Sequence, residues 1–323
     1  LALLAAGIQT NACNALWGLD ELEYVRTAAP GAGGEAGIGG TASGGSSAAG
    51  TGGGNGGTGQ AGGAMGGDGG SAAAVISERG ALVRYYVDEA ASGSVPTELI
   101  DAAPSPLNLP ITYIDDLAFV ERDGHRGLQW NDSGADGRAM VEVVGTKLES
   151  SLQGATESTV ESVVAISDNT NHWGRIVHIG LGGDFGHYSL HTSNLGTSAM
   201  FWWKSPDTTS SGGEWPISFG PLGRIVIHLV LDTSLASADD RVQLYVDGVR
   251  KPAGNPSGYP ILQPSQNETI NLGNGSWFVL GNMDGGNQSF EGVLFYAAVY
   301  GVALTASELA NNTAVLLAND DTP

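Results

Sequence analysis

The chain has 323 residues and a formal net charge of −21, from 13 Lys and Arg against 34 Asp and Glu. Such a surface repels phosphate backbones, which sets nucleic acid aside as a partner, and the single cysteine excludes an intrachain disulfide framework. Of the 51 glycines, 21 fall between positions 31 and 70, so the length overstates the part that can fold.

In chain order, residues 1–8 are apolar, uncharged and too short to span a bilayer. They lack an initiating Met and a basic flank, so the chain is read as beginning inside a signal peptide, with residues 1–13 its remaining part. Cys13 follows the run in Thr10-Asn11-Ala12-Cys13. A lone cysteine after a small residue at the end of an apolar run resembles a bacterial lipobox, although Thr10 stands where that signal usually has Leu. The resemblance implies acylation of Cys13 and a membrane anchor, and Asn14 after it implies the outer membrane. The alternatives are a secreted protein and an ordinary buried cysteine. Residues 14–30 form a short N-terminal segment. Residues 31–74 carry no aromatic side chain and two charges, Glu35 and Asp68. A segment with so little apolar surface cannot offset its ordering entropy, so it is expected to be a flexible linker.

Residues 75–323 are expected to be one domain. Strands are predicted at 81–87, 116–121, 127–130, 139–144, 148–152, 159–167, 175–181, 187–192, 199–203, 224–231, 241–249, 277–281 and 293–300. Short strands punctuated by Gly, Asp, Asn and Ser indicate an antiparallel sandwich. Val242, Leu244 and Val246 alternate with polar or aromatic partners and run into Asp247-Gly248, which predicts a half-buried strand entering a hairpin. The Pro-rich stretch 103–110 is expected to be a loop. Only the tail after Thr305 reads as helix, with Thr305 and Glu308 at capping-box spacing.

RYYVDEAASG at 84–93, Gly127-Leu-Gln-Trp130, the strand from Ile225 to Asp232, LYVDG at 244–248 and YGVALTASEL at 300–309 occur in an order that resembles the laminin-G-like jelly-roll family. That family has the concanavalin A-like lectin/glucanase fold, and the likeness covers residues 81–311. It implies an all-β, antiparallel jelly-roll β-sandwich that binds ligands. Where the family carries an acidic pair in its last strand, this chain has Val293-Leu-Phe-Tyr-Ala-Ala, so no role of that pair transfers.

The same fold hosts glycan hydrolases, whose carboxylates alternate along one strand to face a cleft. Glu157, Glu161 and Glu214 show no such spacing, and neither a nucleophile elbow nor a metal-binding helix motif occurs. No catalytic residue is therefore assigned. His187 and His191 share strand parity with Ser189, but two imidazoles without a carboxylate make a poor metal site, and the strand histidines read equally well as solvent-facing. Asp88, Glu89 and Asp284 are candidate oxygen ligands for a structural Ca²⁺ or, alternatively, turn formers. Adjacent Trp202 and Trp203 must point to opposite faces of a regular strand, and Trp215 falls in an expected polar loop. Any of these rings, exposed, would stack on a pyranose. Core packing is the alternative.

The sequence thus points to a surface-anchored lipoprotein whose tethered module binds a glycan or a cell-surface protein without catalysis. The alternatives are a protein–protein adhesion or scaffold module and a degenerate glycoside hydrolase.

Overall fold

The computed structural model describes residues 75–322 except 89–93, 116, 133, 168–172, 182–187, 194–197, 205–209, 220–222, 257 and 259–262. Cys13 and the expected linker lie outside the described residues. The first elements are β1 (Ala81–Tyr86), β2 (Glu98–Leu99), β3 (Leu109–Thr112), β4 (Leu117–Arg122), β5 (His125–Trp130), β6 (Arg138–Glu142) and α1 (Lys147–Leu152). There follow β7 (Glu157–Ile166), β8 (Arg175–Gly180), β9 (Tyr188–Thr192), β10 (Ser198–Lys204), β11 (Ser210–Pro216) and β12 (Arg224–Asp232). The last are α2 (Ala238–Arg241), β13 (Val242–Val246), β14 (Val249–Lys251), β15 (Trp277–Leu280), β16 (Gly292–Tyr300) and α3 (Ala306–Ala318).

Two antiparallel sheets make the sandwich expected from the sequence. One has the order β14-β13-β12-β7-β16-β5-β4, with β1 also on β16, and the other β11-β10-β9-β8-β15-β6-β3-β2. The core lies between them. Along β7, Val160, Val164 and Ile166 face that core, while Val163 and Ala165 face a second apolar layer. Leu309 and Leu316 of α3 cover this layer. Both faces of β7 and β16 are therefore buried, which explains why β16 reads as a nearly unbroken apolar run.

The local signals appear where the sequence put them. Val242, Leu244 and Val246 are buried, with half-buried residues between them. Asp247 and Gly248 both have positive φ, 50° and 73°, as a two-residue hairpin turn requires. Thr305 and Glu308 form a capping box at the start of α3. Three expectations are corrected. Residues 148–152 are helical in α1: Leu148 and Leu152, both buried, are four apart and share one helix face. Residues 109 and 110, the end of the expected loop 103–110, belong to β3 instead, with Pro110 exposed and paired to the edge strand β2, where a missing N–H is tolerated. The Ser/Gly-rich segment before Trp215 is strand β11, paired with β10 along its length.

Candidate functional site

The β10–β11 pair places the candidate tryptophans. Trp203 and Trp215 are 0% and 1% exposed and belong to the main core. This corrects the expectation of an exposed Trp215 in a loop. Gly213 sits two residues before it on the same strand face, and a Cβ there would overlap the indole ring. The glycine that makes the segment read as a loop is what gives the ring a place to lie. Trp202 occupies the strand position opposite Ser189 and Gly212.

β11 is the edge of its sheet, but it is not left open. Gly254 N–H donates to the Glu214 carbonyl at 2.8 Å, so the chain leaving β14 crosses from one sheet to the other. Beside this crossing runs an open groove of about 450 Å³. Pro252 and Ala253 give it apolar surface over the buried Trp215 and Val242, and Asp239, Gln243, Arg250 and Lys251 give it polar groups. Arg250 donates to Asp240 at 2.7 Å and to the Asp239 carbonyl at 3.1 Å. Asp240 is held below the usual carboxylate range, first by the Arg250 hydrogen bond and then by that of Ser237. Gln243 donates to the Asp240 carbonyl at 2.8 Å and accepts from Tyr245 at 2.7 Å, which fixes its amide and leaves one N–H. Lys251 has no ion-pair partner among the described residues. Here the two bases Arg250 and Lys251 balance the acids Asp239 and Asp240, and Lys251 is the cation left, among the described residues, without an ion pair beside the fixed Gln243 amide. Such surroundings suit a hydroxyl-rich ligand with an apolar face.

Polar side chains inside the fold are occupied differently. Glu161 on β7 is wholly buried beneath α3. Its Oε1 accepts from Tyr296 at 2.9 Å and Tyr300 at 2.8 Å. Its Oε2 accepts from Asn312 at 2.7 Å and faces His228 Nε2 at 2.8 Å. His178, His191 and His228 are all buried, which corrects the solvent-facing expectation for the strand histidines. His178 and His191 sit with Arg175, a buried guanidinium whose pKa desolvation lowers to about 9 and one of whose N–H groups donates to the Trp173 carbonyl at 2.8 Å. His191 is held well below the ordinary imidazole range, chiefly by burial and then by the Arg175 and His178 charges. His187 lies outside the described residues.

Of the candidate calcium ligands, Asp88 is paired with Arg126 at 3.3 Å, Asp284 lies in the turn after β15, and Glu89 is outside the described residues. Among the described residues, neither Asp88 nor Asp284 joins a group of three metal-donor side chains. The group that does converge, His125 with Asp320 and Asp321, drew no notice in the sequence. Its members lie nearly the whole domain apart in the chain, and no local spacing signals it.

No family model and no curated protein matches this chain. Solved structures do. The binding domain of botulinum neurotoxin DC, solved in complex with rat synaptotagmin II, aligns with a TM-score of 0.50 at 7% identity, over 73% of this chain and 52% of that one. The botulinum neurotoxin serotype D binding domain gives 0.49 at 10% identity, over 74% and 52%. Trypanosoma rangeli sialidase gives 0.44 at 15% identity, over 72% and 32%. The chain thus spans about half the length of the neurotoxin domains it matches. At these identities the likeness shows the antiparallel sandwich fold alone.

Proposed function

We propose that residues 75–323 form a non-catalytic binding module that takes a carbohydrate, or another cell-surface ligand, in the groove between β11 and the β13–β14 hairpin. The observation that carries this is the groove itself, where the fixed Gln243 amide and the Lys251 ammonium stand beside apolar walls. Sugars present the matching chemistry, hydroxyl edges around an apolar ring face. The fate of the buried acids supports a binding role. Glu161 is enclosed by four polar neighbours, and Glu214, 1% exposed, accepts from Ser198 at 2.6 Å. Neither carboxylate is placed to reach a substrate. A neurotoxin binding domain of the same fold was solved in complex with a protein, rat synaptotagmin II, so a protein ligand is the second member of the proposed class.

In this reading residues 31–74 serve as a tether and an acylated Cys13 as the anchor, holding the module at an outer-membrane surface. Cys13→Ala in the precursor would then abolish lipid labelling and move the protein to the soluble fraction. The binding reading is tested by screening the protein against a glycan panel and, in parallel, against polysaccharides for release of reducing ends. Saturable binding without release is expected. Turnover of any polysaccharide would overturn the non-catalytic assignment.

A further inference from the structure

The tail after α3 meets the β4–β5 hairpin by bringing two carboxylates to one imidazole nitrogen. His125 opens β5 directly after the tight turn at Asp123 and Gly124, both at positive φ, 55° and 84°. Its ring packs edge-on against Phe295, with centroids 6.2 Å apart, so the imidazole is held in place. Nδ1 of this ring lies 2.7 Å from Asp320 Oδ1 and 3.3 Å from Asp321 Oδ1. Arg224 fixes the tail from the other side: it donates to Asp320 Oδ2 at 2.6 Å and to the Leu317 carbonyl at 2.8 Å. Asp320 is wholly buried, yet its Oδ1 takes part in no hydrogen bond. Nδ1 can carry only one proton, which meets bonding geometry toward Asp321, while the buried Asp320 Oδ1, closer to the same nitrogen at 2.7 Å, is left with no more than the ion-pair contact of a protonated ring. Leaving a buried carboxylate oxygen in that state is costly.

We propose that His125 Nδ1, Asp320 Oδ1 and Asp321 Oδ1 bind a divalent first-row metal ion of the zinc or manganese class. One cation shared by the three atoms satisfies the buried oxygen and accounts for the approach of both carboxylates to one nitrogen. The separations of 2.7 and 3.3 Å are close to the edges of a coordination polyhedron whose bonds run about 2.0–2.2 Å. The imidazole selects the metal class, because calcium and magnesium take oxygen ligands. Arg224 acts from outside the ligand set by holding Asp320 so that Oδ1 faces His125, the orienting role that hydrogen-bonded neighbours play for metal-bound carboxylates. Half-exposed Asp321 and His125 leave a side open to water, so the ion keeps solvent ligands. Bound there, it pins the C-terminal end of α3 to the β4–β5 hairpin. The site stands apart from the groove, and its fate does not depend on the binding reading.

The test uses the full chain, stripped with chelator and titrated calorimetrically with Zn²⁺, Mn²⁺ and Ca²⁺. One equivalent of Zn²⁺ or Mn²⁺ is expected to bind, with a rise in Tm of about 5 °C at saturating metal and a much weaker Ca²⁺ response. His125→Ala and Asp321→Asn should each lower the affinity at least about tenfold while the stripped variants melt as cooperatively as the stripped parent. Both residues are part-exposed, so these changes spare the fold, unlike loss of Asp320. Absence of a one-equivalent event, or binding that survives both substitutions, would overturn the proposal.

Discussion

Glu161 and His228 face each other directly across β7 and β12, with side chains 2.8 Å apart and no exposure to solvent. The pair joins the sandwich to its covering helix, because Asn312 of α3 donates to the same carboxylate oxygen that faces His228. Burial pushes the Glu161 carboxyl pKa up, but hydrogen bonds from His228, Asn312 and Tyr300, with the His228 charge, outweigh it and hold the group below the usual carboxylate range. A carboxyl lowered on folding contributes stability that is complete above its unfolded pKa of about 4.3 and is lost as pH falls through the folded value.

Replacing Glu161 by Gln should therefore cost about 3–5 kcal/mol at neutral pH, because it leaves the other half of a buried pair uncompensated. The expected fall in Tm is about 10 °C. Below pH 4 the difference between Glu161→Gln and the parent should shrink, as the parent carboxyl protonates. Melting curves from pH 7 to pH 2.5 read both effects, and a pH-independent difference would show that the charge is not what stabilises.

Trp215→Ala should destabilise the domain by about 3–5 kcal/mol, the range for emptying a buried aromatic site. Gly213→Ala should also destabilise, by about 1–3 kcal/mol, since the added methyl must displace the indole. Urea denaturation checks both. A neutral Gly213→Ala would mean that the ring lies elsewhere.

The β13–β14 turn gives a smaller and cleaner effect. Gly248→Ala places a side chain at φ 73° and should cost about 1 kcal/mol. Asp247 adds an anchor, because its Oδ1 accepts from Val226 N–H at 2.9 Å. Asp247→Ala should cost a similar amount, again read from urea midpoints.

What the sequence showed and what it hid divide along chain distance. The alternation through Val242, Leu244 and Val246, the Asp247-Gly248 turn and the Thr305–Glu308 cap are settled by neighbours, and each was legible. β11 was not, because its strand character comes from pairing with β10 and from an indole laid over Gly213. The i, i+4 pair Leu148 and Leu152 carried a helical signal that was read as a strand. Glu161 looked like a stray acid because its partners His228, Tyr296, Tyr300 and Asn312 lie 67 to 151 positions away. The groove joins side chains from β11, α2 and the β13–β14 hairpin, and no single motif announces it. Trp215, expected as an exposed ring in a loop, lies instead in the core behind the groove.

A ligand held in this groove would meet Gln243 and Lys251, two side chains that can be removed without opening the core. The decisive measurement is a calorimetric titration of the best glycan from a panel screen into the parent and into Gln243→Ala, Lys251→Ala and the double variant. Each lost hydrogen bond contributes about 0.5–1.5 kcal/mol, so affinity should fall several-fold in each single variant and further in the double, with Tm unchanged within about 2 °C for Lys251→Ala and lowered by about 5 °C for Gln243→Ala, which also loses its bonds to Asp240 and Tyr245. Undiminished affinity in the double variant, or no glycan binding at millimolar concentration, would contradict a carbohydrate site in the groove.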